Sequence, residues 1–267
     1  MTVMAATTTD NKELPPDALA ETVGPVLVIT INRPDQRNAM TLAAAQIIAD
    51  AVDLLDSSPD LAVGVITGAG GTFCAGMDLK RFALGERPRV PGRGFAGITE
   101  APPRKPLIAA VEGWALGGGF ELVLACDLVV AAETASFGLP EVKRGLAAAG
   151  GGAVRLPRRM PLPIALEILL TGEPLSADRA AHFGLVNDVV APGQALDRAL
   201  ELGRLIAANA PLAVRLIKQL AIDSADWPSS ELFSRQAPYV DPIFASDDAK
   251  EGVTAFSQRR APRWTGQ

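Results

Sequence analysis

Short β-rich runs alternate with helical runs through the first half of this 267-residue chain, and the second half is almost entirely helical in pattern. "VLVITI" at 26–31 reads as a strand that ends at the breaker "NRPDQRNA". Thr41 is placed to cap a helix running to about Asp56, with Leu42, Ala45, Ile48, Val52 and Leu55 near one face. "VGVIT" at 63–67 reads as a buried strand before the glycine-rich "GAGGTFCAG", and a short helix is expected from about Asp78. "LIAAV" at 107–111 and "DLVVAA" at 127–132 add two more strands, whereas 85–106 carries Pro, Gly and Arg without periodicity and reads as a mobile loop. Beyond 161, "PIALEILLTG", "SADRAAHFG", "ALDRALELGRLIAANA" and "PLAVRLIKQLAIDSA" have helical patterns, with "LVNDVV" the one strand among them. This order predicts an α/β core followed by an α-helical C-terminal region. With 48% hydrophobic residues the chain can bury a large core, as one big domain or two small ones.

The remaining composition removes whole classes of function. A net charge of −5 argues against a nucleic-acid-binding face, although a local basic patch can still meet an anionic substrate. Two cysteines, Cys74 and Cys126, without a CxxC or metal-ligand spacing, indicate a reduced cytoplasmic protein with no disulfide framework. The N-terminal "MTVMAATTTDNKELPPDALAE" has neither a basic n-region nor an apolar h-region, and residues 1–20 read as a disordered extension. The most apolar stretch, "LVLACDLVVAA", is too short to span a bilayer and is interrupted by Asp127, so no membrane association is expected.

Chemistry concentrates in "GWALGGGFELVLACD", residues 113–127, where three glycines precede an apolar helical run and Glu121 follows the last of them by two. A dinucleotide loop fits poorly, because the third glycine of GxGxxG in "GAGGTF" is replaced by Phe73, and no Gly-Lys-Ser/Thr of a P-loop occurs. An oxyanion hole, in which backbone N–H groups approach a carbonyl unobstructed, is a third explanation. A tight strand-to-helix packing corner is the fourth. The single histidine, His182, lacks a GxSxG or HExxH partner and reads as an ordinary helix-end residue. Cys74 in its glycine-rich loop has no base nearby in sequence and reads as a small buried residue, and Cys126 reads as core. Two carboxylates remain. Glu121 lies in the first turn after the glycines and Glu141 in "FGLPEVKRG", both beside apolar, glycine-rich sequence where desolvation would raise a carboxyl pKa toward neutrality.

"GTFCAGMDLK", "EGWALGGGFELVLACDLVVAAETASFGLPEVKRGL", "AAGGGAVRLPR" and "LTGEPLSADRAAHFGLVNDVV" together resemble the crotonase (enoyl-CoA hydratase/isomerase) superfamily, over about residues 24–264. The resemblance implies a crotonase-like spiral of ββα units over 21–200 and a helical trimerisation region over 201–267, with trimers commonly paired into hexamers. It further implies that the N–H groups of Met77 and Gly118 form the oxyanion hole and that Glu121 and Glu141 are the two catalytic glutamates of the hydratases. Ala75, Gly76, Asp78, Leu79 and Lys80, with Gly117, would wrap the thioester and pantetheine of an acyl-CoA. Phe256 and Arg259 of "TAFSQRR" match an element that reaches CoA, in some members across a subunit interface. Coenzyme A would be part of the substrate, with no metal or redox cofactor. The acyl pocket would be shaped by Phe82, Trp114 and the loop 85–106, while Lys80, Arg81, Arg87, Arg89 and Arg93 read mainly as a solvated face. "RGLAAAGGGAVRLPRRMP" and "ASDDAKEGVTAFSQRRAPRW" are most similar to the carnitinyl-CoA dehydratase-like branch. The expected activity is acyl-CoA hydration/dehydration, with a Δ3–Δ2 isomerase and a non-catalytic acyl-CoA-binding subunit as alternatives.

Overall fold

The computed structural model describes residues 15–267. Strands β1 (Ala18–Val23) and β2 (Val26–Ile31) form an antiparallel hairpin in which Ala18 lies opposite Ile31. From β2 onward the main sheet is parallel: it continues through β3 (Val63–Gly68) with Val26 beside Val63 and Ile31 beside Gly68. Helix α1 (Leu42–Ser57) makes the crossover between them, and the Thr41 hydroxyl caps it by accepting the Ala44 N–H. Helix α2 (Leu79–Ala83) and a short hairpin, β4 (Arg89–Val90) with β5 (Gly94–Phe95), precede β6 (Leu107–Val111), which pairs with β3.

Each further turn adds one strand to this sheet and one to a second. Strand β7 (Trp114–Leu116) leads into α3 (Gly118–Ala125); β8 (Leu128–Ala132) returns to the main sheet beside β6, and β9 (Ser136–Gly138) pairs with β7. A 3-10 turn at Pro140–Arg144, then α4 (Gly152–Arg159) and α5 (Leu162–Thr171), lead to β10 (Leu175–Ser176) on β9. Helix α6 (Ala177–His182) precedes β11 (Asp188–Val190), which closes the six-stranded sheet in the order β1-β2-β3-β6-β8-β11. The second sheet has the order β10-β9-β7.

The main sheet is apolar on both sides because both are covered. Leu27, Ile29, Ile66, Ala109, Val111, Val129 and Ala131 face the large core that contains α1 and α3. Their alternates Val26, Val63, Val65, Ile108, Ala110 and Val130 meet Ala195 and Ala199 of α7 (Ala195–Ala207). Helices α8 (Pro211–Asp223), α9 (Leu232–Ala245) and α10 (Asp247–Gln258) follow outside these two cores. Among the described residues no single helix is long and apolar enough to cross a membrane.

The structure moves both expected domain boundaries. Strand β1 starts at Ala18, inside the stretch read as a disordered extension, because pairing with β2 supplies the order its own short sequence does not signal; positions 1–14 lie outside the described residues. Helix α7 straddles the boundary at 200 and belongs to the core that it covers. The segment 85–106 is not a featureless loop: it carries the β4–β5 hairpin and buries Ala96, Ile98 and Thr99.

Candidate active site

Strand β3 ends at Gly68 and releases a loop that is pinned from two directions before α2 begins. The fully buried Asn38 donates from Nδ2 to the Ala69 and Thr72 carbonyls at 2.8 and 2.6 Å, and its Oδ1 accepts the Arg33 N–H at 2.9 Å. Met40 brackets the turn, donating to the Gly76 carbonyl at 2.8 Å and accepting from the Asp78 N–H at 3.1 Å. On the other side the Cys74 N–H bonds the Trp114 carbonyl and the Leu116 N–H bonds the Cys74 carbonyl, both at 2.9 Å. The loop is thereby fastened to the second sheet at the point where β7 turns into α3.

Close approach explains the glycine triplet. Gly117 sits at φ 55°, ψ −126°, a conformation that a side chain would strain. A Cβ on Gly118 would lie 2.3 Å from the Phe95 ring, and one on Gly119 would lie 2.1 Å from the Cys74 carbonyl oxygen. Gly76 is equally tight, since a Cβ there would fall 2.8 Å from the Leu116 carbonyl oxygen and 3.3 Å from the Gly118 nitrogen. The turn that presents Met77 therefore abuts the first residue of α3. The Met77 N–H donates to no described residue. Gly118 occupies the first helical position, whose N–H has no partner within a helix.

Helix α3 is buried along its whole length, Glu121 included at 4% exposure. Its Oε1 accepts the Gly152 N–H at 2.9 Å, from the corner that opens α4. Burial pushes the Glu121 carboxyl above the usual carboxylate range, against the opposing pull of the Gly152 and Gly150 N–H groups and of Arg155. Glu141, in the 3-10 turn, is also raised, first by desolvation and further by the neighbouring Glu121 charge, with its own N–H and Arg144 acting in the opposite sense. Its Oε2 is buried without a hydrogen-bond partner among the described residues. A cavity of about 320 Å³ collects these groups: Met77 and Gly118, both glutamates, and the apolar walls Leu79, Phe82, Phe95 and Leu146. Two free N–H donors and two carboxyls held toward neutral pKa values face one mainly apolar space.

Of the sequence-predicted site residues, Ala75, Gly76 and Gly117 also line this cavity. Asp78 and Lys80 do not. Asp78 caps α2 by accepting the Lys80 and Arg81 N–H groups and pairs with Arg33 at 3.0 Å, which holds its carboxyl below the usual range despite partial burial. Trp114 lies outside the cavity, half-exposed in a neighbouring groove; it is Leu116, two residues on along β7, that reaches the cavity wall. Phe256 and Arg259 sit on the exposed end of α10, and the cavity lining of this single chain includes neither. The basic residues around 80–93 mostly have acidic neighbours: Arg81 pairs with Glu86, Arg89 with Glu100 and Arg93 with Asp53. Cys74 is fully buried, with its thiol pushed up to about 12 by desolvation, which leaves it protonated and inert. Phe82 and, from the loop 85–106, Phe95 line the cavity as the acyl-pocket expectation had it. Sequence reasoning gave no role to Asn38, Gly150 or Gly152, although the second glycine triplet at 150–152 and an Asn in a breaker, here at a left-handed φ of 55°, were local signals.

A family model described as Enoyl-CoA hydratase/isomerase matches residues 21–267. The chain is 44% identical over 260 residues to an enoyl-CoA hydratase, EchA19, of Mycobacterium tuberculosis, covering 93% of this chain and 96% of that protein. It is 42% identical to a carnitinyl-CoA dehydratase of Salmonella arizonae, covering 91% and 96%. A crystal structure of an enoyl-CoA hydratase from Mycobacterium tuberculosis superposes with a TM-score of 0.93 at 54% identity, over 95% of this chain and 100% of that one. A carnitinyl-CoA hydratase from Mycobacterium avium superposes with a TM-score of 0.77 at 44% identity, with the same coverage.

Proposed function

The chain belongs to the enoyl-CoA hydratase/isomerase family, and we infer from its cavity that it is an acyl-CoA hydratase/dehydratase, adding water reversibly across the α,β double bond of an enoyl-CoA thioester. The observation that carries this reading is the convergence of two free backbone N–H groups and two raised carboxyls on one mainly apolar cavity.

The thioester oxygen accepts from the Met77 and Gly118 N–H groups. The positive end of α3, which begins at Gly118, faces the same oxygen. Electron density drawn onto that oxygen makes the β-carbon electrophilic, and the charge that develops meets donors already fixed in place. Water lies between the two glutamates. One takes a proton as the water oxygen bonds to the β-carbon, and the other gives a proton to the α-carbon; the net addition is OH to Cβ and H to Cα. Dehydration reverses each step. Burial raises both carboxyls, the direction that favours acid and base work. Ala75, Gly76 and Gly117 line the thioester arm, and coenzyme A enters as part of the substrate, with no separate cofactor in the scheme.

Arg259 and Phe256, remote from the cavity within one chain, are assigned to the CoA nucleotide of a neighbouring subunit's substrate in a homotrimer or a hexamer built from two trimers, in the cytoplasm. The test is hydration of crotonyl-CoA by the wild type and by Glu121→Gln and Glu141→Gln. Each variant is expected to lose turnover and keep CoA-ester binding, because the oxyanion donors belong to the backbone. A single essential glutamate combined with migration of a 3-enoyl double bond would turn the reading toward an isomerase.

A further inference from the structure

Among the described residues, Arg155 is the one cation that acts on Glu121, and it does so from outside the cavity lining. It stands in the first turn of α4, with its N–H on the Gly151 carbonyl at 2.8 Å, and its guanidinium folds back over Gly151 so closely that a Cβ there would lie 2.2 Å from Nη1. From the far side Nη2 donates to the Thr99 carbonyl. Two segments separated by more than fifty residues are thus joined by one side chain. The first is the 150–152 corner, whose Gly152 N–H holds Glu121 Oε1 at 2.9 Å and whose Gly150 would place a Cβ 2.5 Å from Oε2. The second is the stretch from Phe95 to Thr99, which sets the Phe95 ring against Gly118.

We propose that Arg155 is a positioning residue: by clamping the 150–152 corner to the 95–99 segment it keeps Glu121 aimed as the water-activating group, with the guanidinium charge held beside the same corner. The charges nearby are otherwise engaged. The Glu121 charge raises the Glu141 carboxyl across the cavity, and Arg144 acts on Glu141. Around the guanidinium lie Glu121, Arg159, Glu100 and the buried thiol of Cys126. Glu100 is already paired with Arg89 at 2.7 Å, and Arg159 is turned to the Cys126 carbonyl at 3.0 Å. Burial lowers the Arg155 pKa and Glu121 raises it, so the two groups sustain each other's charge.

The inference rests on Glu121 being the acid–base group of the proposed hydration, so its test includes a readout that needs no turnover. Arg155→Gln keeps a donor for Thr99 and removes the charge, Arg155→Met removes both, and Arg155→Lys keeps the charge. For each folded variant we would record the pH dependence of kcat and KM with crotonyl-CoA. The Glu121 carboxyl would be titrated by ¹³C NMR, with its signal assigned by its absence in Glu121→Gln. In Arg155→Gln and Arg155→Met the Glu121 titration and the acid limb of kcat are expected to move to higher pH. The loss of turnover should be on the order of tenfold on the acid side and shrink as pH rises, with KM near wild type. Arg155→Lys should bring the limb back toward the wild-type position. Wild-type titration of Glu121 in Arg155→Gln would overturn the proposal and leave Arg155 a structural strap, whatever the activity. An upward-moved titration in an enzyme that hydrates no enoyl-CoA would uphold the arginine's role and bring down the hydratase reading.

Discussion

The sheet core and the C-terminal helices solve the burial problem in opposite ways. Every residue of α3 is buried, and alternate residues of β2, β3, β6 and β8 enter two cores that this one chain fills itself. Helices α8 and α9 bury no residue fully, and Ile217, Ile222, Phe233 and Phe244 stand exposed on them. The chain on either side of them is nonetheless tied down. Asp248 of α10 accepts the Thr265 and Gly266 N–H groups at 2.6 and 3.0 Å, and the Trp264 indole donates to the Ala208 carbonyl at 2.7 Å. A well-held element with an uncovered apolar face is built to meet another surface. The difference teaches where the chemistry can reside: one chain lines the whole cavity, and in the proposed scheme its distal helices complete an assembly and the nucleotide site.

Substitutions in the two regions should therefore fail differently. The largest effect belongs to the core: Glu121→Gln and Glu141→Gln should each lower hydration by about 10²–10⁴-fold, and the double variant should be far less than multiplicatively worse. Steady-state kinetics beside CoA-ester binding would show this, and a loss of binding equal to the loss of turnover would break the division between regions. Next comes Arg259→Ala on the C-terminal side. It should weaken binding of a CoA ester by roughly 1.5–3 kcal/mol and that of the dephospho-CoA ester by less, with turnover at saturation preserved; equal losses would place Arg259 on an idle surface.

Gly119→Ala returns to the core. A methyl group directed at the Cys74 carbonyl should cost about 1–3 kcal/mol of stability, read by chemical denaturation, together with a fall in turnover as the Met77 and Gly118 donors spread apart. Phe233→Glu with Phe244→Glu should lower the mass seen by light scattering from three or six chains toward one and leave the far-UV spectrum of the core intact. A wild-type monomer at micromolar concentration would remove the basis for the contrast.

The smallest effect is a gain in stability. A carboxyl raised by burial binds more protons folded than unfolded between its two pKa values, so its ionisation reduces stability as pH rises through that interval. Glu121→Gln, neutral at every pH, should melt above the wild type at pH 7, and the difference should vanish below the unfolded carboxyl range near 4.5.

The main strands, α1 with its Thr41 cap, and the glycine corner were legible because periodicity, a capping residue and a run of glycines are local properties. That Glu121 and Glu141 share one cavity fits the sequence for a related reason, as both lie in apolar, glycine-rich stretches. What sequence could not show were groups whose meaning comes from a distant partner. Phe95 lay in a stretch without periodicity, and only the fold puts its ring over Gly118. Asn38 looked like part of a breaker, although its amide fastens a loop more than thirty residues away. Asp78 stood within the motif thought to touch substrate, and its carboxylate is spent on capping α2 and pairing with Arg33. Helix α9 falls within the region expected to be helical, but its bounds were not set, and Pro238 and Pro242 inside it weaken the local helical signal.

The central claim, that the cavity adds water across a double bond with Glu121 and Glu141 acting together, is tested most directly by incubating the wild type with crotonyl-CoA in ¹⁸O-water and locating the label by mass spectrometry. The account predicts one ¹⁸O at the β-hydroxyl of the product, with label incorporation collapsing in both Gln variants. Unlabelled product, or no product from crotonyl-CoA and from short, branched and charged enoyl-CoA esters alike, would contradict it.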